Sequence, residues 1–172
     1  MFRRILDGLY DACGVLACIS LLATGAIILA QIVGRLFGAL IPSADDFAGY
    51  AMAMSTFLGL AYTFRANGHI RVTLFTQRLA TPRRRQLEVV VLCLAFAIMG
   101  YFTWYNADMA YSSYDFGEVS TGLVPVPLWI PQAVITFGIA LMTISVLDEL
   151  LVLLRGGNPA YMKTDQEITQ AE

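Results

Sequence analysis

The sequence predicts an all-α integral membrane protein of four transmembrane helices with both ends in the cytoplasm, and three observations carry that expectation. First, 58% of the 172 residues are hydrophobic and 14% are charged, against roughly a quarter charged and just under half apolar in an ordinary soluble domain. Second, the apolar residues fall into four runs, each close to the ~20 residues that a helix needs to cross a ~30 Å hydrocarbon layer. Third, Lys and Arg are distributed unequally between the segments that separate those runs. The net charge of -2 gives no basic surface for nucleic acid, so the basic residues are read as markers of membrane side.

The first run extends from about Leu9 to Val33 and is closed by Arg35. Phe2-Arg3-Arg4 looks like the basic start of a signal peptide. The apolar run, however, exceeds the usual 7 to 15 residues and lacks a clear small-residue cleavage site, so it is expected to stay as a span. The second run, Phe47 to Phe64, lies between Asp45-Asp46 and Arg65 and is about 27 Å long as a helix. Ser43 and Asp46 have capping-box spacing, and Pro42 discourages an earlier start. The third run, Leu87 to Met109, follows Thr81-Pro82, where threonine can cap and proline suits the first turn. Tyr101, Phe102, Trp104 and Tyr105 form its interfacial aromatic belt. The fourth run, Leu128 to Leu147, is entered through Trp129, with Pro131 tolerated in the first turn, and Asp148 and Glu149 mark its exit. Residues 1–155 thus form the membrane domain, and residues 156–172 a polar tail.

Orientation follows from the basic residues rather than from net charge. Of the eleven Lys and Arg, ten (Arg3, Arg4, Arg65, Arg71, Arg78, Arg83, Arg84, Arg85, Arg155 and Lys163) lie in the tails and in the link between spans two and three. Only Arg35 lies in the other two loops. The tails and the central link are therefore expected in the cytoplasm, and the loops 35–46 and 110–127, with Asp45, Asp46, Asp115 and Glu118, on the outer side.

Function classes narrow by what the spans lack. A conducting path shows ionisable residues or broken helices near the membrane midplane, and here every charged residue and the single histidine lie near a span end or in a loop. One histidine also argues against a membrane enzyme, a metal cluster or a bis-histidine haem. Cys13, Cys18 and Cys93 have no ligand spacing and are read as small packing residues. No cofactor is expected in this chain. The spans do carry small residues in rows, Ala26, Ala30, Gly34 and Gly38 in the first and Ala51, Ser55, Gly59 and Thr63 in the second. Such rows let helix backbones approach closely in lipid. They could pack the chain's own helices, which is the simpler reading, or another subunit.

The most informative stretch is Gln31 to Val72. Gln31, Arg35 and Phe37 end span one, an acidic pair begins span two, Thr56-Phe57-Leu58-Gly59-Leu60-Ala61 fills it, and Arg65 precedes Gly68-His69-Ile70-Arg71-Val72. In order and spacing these elements resemble the small membrane subunit of the tripartite ATP-independent periplasmic (TRAP) transporters. The acidic pair here is aspartate where that family commonly has glutamate. The resemblance implies a non-enzymatic subunit of a bacterial or archaeal cytoplasmic membrane complex. Its partners would be a large membrane subunit that moves an organic acid with a sodium gradient, a periplasmic solute-binding protein, and the surrounding lipids. Sodium is expected on the large subunit.

Two roles are open for Arg35, Asp45 and Asp46 at the outer interface. The aspartates can complement the helix dipole while Arg35 meets lipid phosphate or an aspartate, worth about 0.3–1 kcal/mol for each helix-end charge; or the three can dock a partner. Asn67-Gly68 is expected to turn the chain after span two, placing His69, Arg71 and Arg78, with Arg65, on a short amphipathic segment at the cytoplasmic interface. Arg71 and Arg78 fall within its apolar arc, so they are expected to snorkel or to pair with Glu88, Asp148 or Glu149. His69 is read as a structural histidine. A membrane anchor or assembly subunit of another complex, such as a respiratory one, is the alternative function. The sequence names no solute.

Overall fold

A helix satisfies every backbone N–H and C=O within its own segment, which is what a hydrocarbon setting demands. The computed structural model describes residues 2–65 and 81–156, and these form α1 (Phe2–Leu36), α2 (Ala44–Arg65), α3 (Thr81–Asp115) and α4 (Trp129–Leu154). Among the described residues there is no strand, only one isolated antiparallel bridge between Val119 and Pro127. The expected link carrying Asn67, Gly68, His69, Arg71 and Arg78, and the tail from residue 157 onward, lie outside the described residues.

Three of these helices, over Leu6–Leu36, Arg85–Asp115 and Trp129–Leu154, are long and apolar enough to cross a membrane. Helix α2 does not reach that standard, so the expected fourth span is a helix with a weaker apolar signature. At 1.5 Å per residue it is about 33 Å long, but Gly49, Tyr50, Ser55, Thr56, Gly59, Tyr62 and Thr63 dilute it. Packing explains how it tolerates them. The principal helix contacts are α1 with α2, α2 with α4, and α4 with α3, so the helices stand in the order α1, α2, α4, α3 and α2 has protein on two sides. The core joins Leu6, Tyr10, Cys13 and Ala17 of α1 to Leu58 and Ala61 of α2, Leu92 of α3, and Leu141, Met142, Val146, Leu150 and Leu153 of α4. Half of the apolar window of α4 is buried inside the chain, against 6% for α3; α4 is the central helix and α3 a flanking one.

Since lipid is as apolar as leucine, association within a bilayer rests on close packing, and the tightest approach is between α2 and α4. A Cβ built at Gly138 would land on the Phe57 carbonyl oxygen and lie 2.6 Å from its carbon and 3.1 Å from Leu58 N. Only a glycine fits there. Helices α1 and α2 meet where Gly14 faces the Tyr62 ring and Gly59 lies within 3.7 Å of the Ala17 Cβ. Unlike the buried Ser145 hydroxyl, which has no hydrogen-bond partner among the described residues, threonine hydroxyls inside the apolar helices are satisfied locally: Thr24 donates to Ser20 O, Thr56 to Met52 O, Thr136 to Gln132 O and Thr63 to Gly59 O. This back-bonding to the preceding turn removes the desolvation cost of the hydroxyl. Thr103 and Thr143, each bonded in this way, also share a 2.9 Å contact between their Oγ1 atoms across α3 and α4.

Helix ends lie beyond the expected span ends. Helix α1 starts at Phe2 rather than near Leu9, α3 runs past Met109 to Asp115, and α4 continues through Asp148 and a buried Glu149 to Leu154. Charges such as Asp11, Asp108 and Asp148 interrupt apolarity but not helix formation. What stops the chain is backbone chemistry. Gly38, Gly117 and Gly156, each just past a helix terminus, have φ of 73°, 64° and 85°, the left-handed conformation that closes helices and that glycine adopts without a Cβ penalty. Gly38 therefore lies in a turn and does not extend the small-residue row of α1.

Candidate functional site

One end of the bundle holds both the turn 37–43 and the loop 116–128, because Val124 N–H donates to Ser43 Oγ at 2.9 Å. The starts of α1 and α3 and the end of α4 lie at the opposite end, where Arg85 Nη2 donates at 2.8 Å to Leu153 O, a last-turn carbonyl that also accepts the Gly156 N–H at 3.2 Å. Glu88, Asp148 and Glu149, proposed above as partners for basic groups, are on these same segments. Helix α3 begins at Thr81 as its proline signal suggested, and Trp129 and a buried Pro131 open α4.

The loop end gathers Arg35, Asp45 and Asp46. Asp45 and Asp46 occupy the first turn of α2, where carboxylates complement the helix dipole. Asp45 Oδ1 accepts a 2.8 Å hydrogen bond from Gln31 Nε2. The exposed Arg35 guanidinium has no hydrogen bond or ion pair among the described residues, so the pairing considered between Arg35 and an aspartate is not formed; Gln31, one turn earlier on α1, takes the carboxylate instead. Asp46 is turned to the loop, since a Cβ on Gly122 would land on its Oδ2 and lie 2.6 Å from Ser43 Oγ.

Ser43 departs from its expected role. Its Oγ accepts from Val124 rather than from the third residue of α2, and its φ is 56°, outside the extended backbone of a capping residue. Its carbonyl still accepts the Phe47 N–H at 3.1 Å, so α2 starts there without the capping box. Beyond it, residues 118–128 fold back on themselves. Ser120 N–H donates to Val126 O at 2.8 Å and Leu128 N–H to Glu118 O at 3.0 Å, while Val126 N–H donates to Ser120 Oγ at 3.0 Å. The buried Ser113 hydroxyl donates to Glu118 Oε2 at 2.6 Å, and Tyr114 stacks edge-on with Trp129, ring centres 5.7 Å apart. Tyr101, Phe102, Trp104 and Tyr105, expected to form an aromatic belt, are largely exposed on α3, and this second aromatic contact stands further along the same helix. The contact of Ser43 with the loop at Gly122 and Val124 escaped sequence reasoning because it joins positions 81 apart in the chain, and no local pattern announces it.

The small-residue rows separate in space. Ala51, Ser55 and Gly59 of α2 are half-buried, with Gly59 against Ala17. Ala26 and Ala30 of α1 are exposed, and Gly34 lies under the turn, where a Cβ would be 3.0 Å from Ala39 O. The part of the α1 row at Ala26 and Ala30 is not used by this chain's own packing. Arg65 closes α2, and its side chain, like His69, Arg71 and Arg78, lies outside the described residues. Among the described residues no group of three or more His, Cys, Asp and Glu could hold a metal.

A search of curated proteins finds no match. The sequence model of the family described as "Tripartite ATP-independent periplasmic transporters, DctQ component" matches residues 24–156, a stretch that takes in the last part of α1 from Thr24, all of α2, α3 and α4, and both segments of the loop end. By that match the chain belongs to the DctQ family, the small membrane component of TRAP transporters, a transporter rather than an enzyme family.

Proposed function

We propose that this chain spans the cytoplasmic membrane four times with both termini in the cytoplasm. It scaffolds the large membrane subunit of a sodium-driven transporter and helps a periplasmic solute-binding protein dock for uptake of an organic acid. The observation that carries the scaffold role is the exposed face of α1 at Ala26 and Ala30. Against lipid, alanines forgo the dispersion contacts that leucines would make. Against another helix they permit close backbone approach, which is where association energy in a bilayer comes from. The loop end, with Asp45, Asp46 and an uncommitted Arg35, is assigned to the periplasmic side by the basic residues of the opposite end.

Affinity purification in mild detergent tests the assignment. A large polytopic subunit and a solute-binding protein should be recovered together with the chain, and recovery of haem or flavin proteins instead would replace it with the respiratory anchor. Reversing Asp45 and Asp46 to lysine should lower uptake while the chain still inserts. Single cysteines at Leu40 and Leu123, both highly exposed, placed in a chain freed of Cys13, Cys18 and Cys93, should react with a membrane-impermeant maleimide added from outside.

A further inference from the structure

We infer that the docking element at the loop end is the hairpin 116–128 itself, and that Ser43 and Asp46 act through it as positioning residues; this rests on the docking reading above. The two carboxylates are already engaged within the chain. Asp45 accepts from Gln31, and Asp46 lies beneath Gly122, where even a methyl group would collide with it. The hairpin, by contrast, is held from within by Ser120 and the Val119–Pro127 bridge and from outside by Ser43, yet it presents apolar side chains: Leu123 at its tip is 85% exposed and Phe116 at its base 78%. A loop ordered before it meets a partner loses little further conformational freedom on binding, and exposed apolar residues on an ordered scaffold are where binding energy concentrates.

Its setting defines the partner. The hairpin caps the end of the helices rather than their sides, so a membrane subunit packed along α1 or α3 does not cover its tip; a soluble partner does. Asp115, exposed, and Glu118, which accepts from Ser113, stand at the base of the hairpin, so the matching surface is an apolar patch over the tip with a lysine or arginine facing Asp115, on the solute-binding protein. Ser43 in a left-handed conformation is a backbone state that serine adopts only where its surroundings over-determine it, and the Val124 hydrogen bond is what does so here.

The test titrates the transporter's solute-binding protein onto the membrane complex in nanodiscs. Leu123→Glu should weaken binding about tenfold or more, with recovery of the large subunit unchanged. Ser43→Ala should weaken it roughly fivefold by releasing Val124, and Ser43→Asn should restore it, since asparagine accepts the same N–H and tolerates positive φ. Combining Ser43→Ala with Leu123→Glu should add nothing beyond Leu123→Glu alone. Normal binding by Leu123→Glu while reversal of Asp45 and Asp46 abolishes it would overturn the hairpin's role and leave docking in place. Additive losses for Ser43 and Leu123 would overturn the positioning role. Normal binding by all of these variants would remove the docking reading together with this one.

Discussion

Gly138→Ala should destabilise the fold although alanine is the better helix former. At a helix interior, replacing glycine with alanine gains about 0.5–1 kcal/mol through backbone entropy. At Gly138 the added methyl would lie 2.6 Å from the Phe57 carbonyl carbon and 3.1 Å from Leu58 N. These are backbone atoms inside α2, and no rotamer can move them away. Reaching ordinary contact requires α2 and α4 to part locally by roughly 1 Å, a gap that forfeits a quarter to a half of each neighbouring dispersion well. Overpacking of this kind costs about 1–3 kcal/mol, so the net loss is about 1–2 kcal/mol. Gly100 of α3 is the control, since a methyl there meets nothing within 4 Å and should stabilise by up to about 1 kcal/mol. Gly14→Ala falls between them: its methyl meets the Tyr62 ring at 2.9 Å, Cγ included, so the whole side chain must shift, which a partly exposed tyrosine does more readily than the Phe57 backbone. The three variants of the isolated chain should rank in that order in detergent unfolding followed by far-ultraviolet circular dichroism. The difference between Gly138→Ala and Gly100→Ala is about 2–3 kcal/mol, or 30- to 150-fold in the folding equilibrium. Equal or greater stability for Gly138→Ala would refute the close approach of α2 and α4.

Three further outcomes follow from individual contacts. Arg85→Ala removes one of two donors to Leu153 O, leaving the Gly156 N–H, and should cost about 1 kcal/mol, seen as faster amide exchange over residues 151–156, with Arg85→Lys recovering part of the protection. Thr103→Val and Thr143→Val should show a coupling of about 0.6 kcal/mol in a double-mutant cycle, since their hydroxyls meet across α3 and α4; strict additivity would show that the hydroxyls act only within their own helices. Gln31→Ala should lower stability by less than about 1 kcal/mol, because the bond to Asp45 is exposed, and double-cycle analysis with Asp45→Ala should find coupling there and none between Arg35 and Asp45.

Apolarity told where the four helices lie along the chain and left open where they end, because the two limits have different causes. Asp148 stops an apolar run, yet α4 continues to Leu154 because an aspartate costs a helix little, and it ends only where Gly156 takes positive φ. The glycine two residues past three of the helices was the legible signal for their termini, and reading hydropathy first concealed it. The capping box at Ser43 illustrates the opposite failure. Its spacing was correct, but a local pattern cannot register that a backbone N–H from Val124 competes for the same hydroxyl. Arg35, Asp45 and Asp46 were legible as a group at one end of the bundle, since charges flank the spans. That Asp45 bonds Gln31 and Asp46 underlies Gly122 depended on how the α1–α2 and α3–α4 hairpins dock, which no spacing encodes.

That docking also bears on why a subunit with no midplane charge would be retained beside a transporting one. A row of helices in the order α1, α2, α4, α3 buries its middle pair and leaves its flanking pair half-wrapped. Lipid can cover α3, whose exposed face is large and apolar at Val90, Val91, Leu94 and Ile98, because such side chains make the same dispersion contacts with acyl chains as with protein. The α1 surface has comparably large exposed side chains at Leu22, Leu29 and Val33, but Ala26 and Ala30 among them are small enough for the backbone of a partner helix to approach closely. On the proposed reading this asymmetry decides the assembly. The partner's helix displaces lipid from α1, where displacement costs least and close approach gains most, and α3 stays against the bilayer. Bulk added at Ala26 or Ala30 should therefore separate the subunits without unfolding this chain, whereas the same bulk at Ala61, fully buried between its own helices, should unfold it.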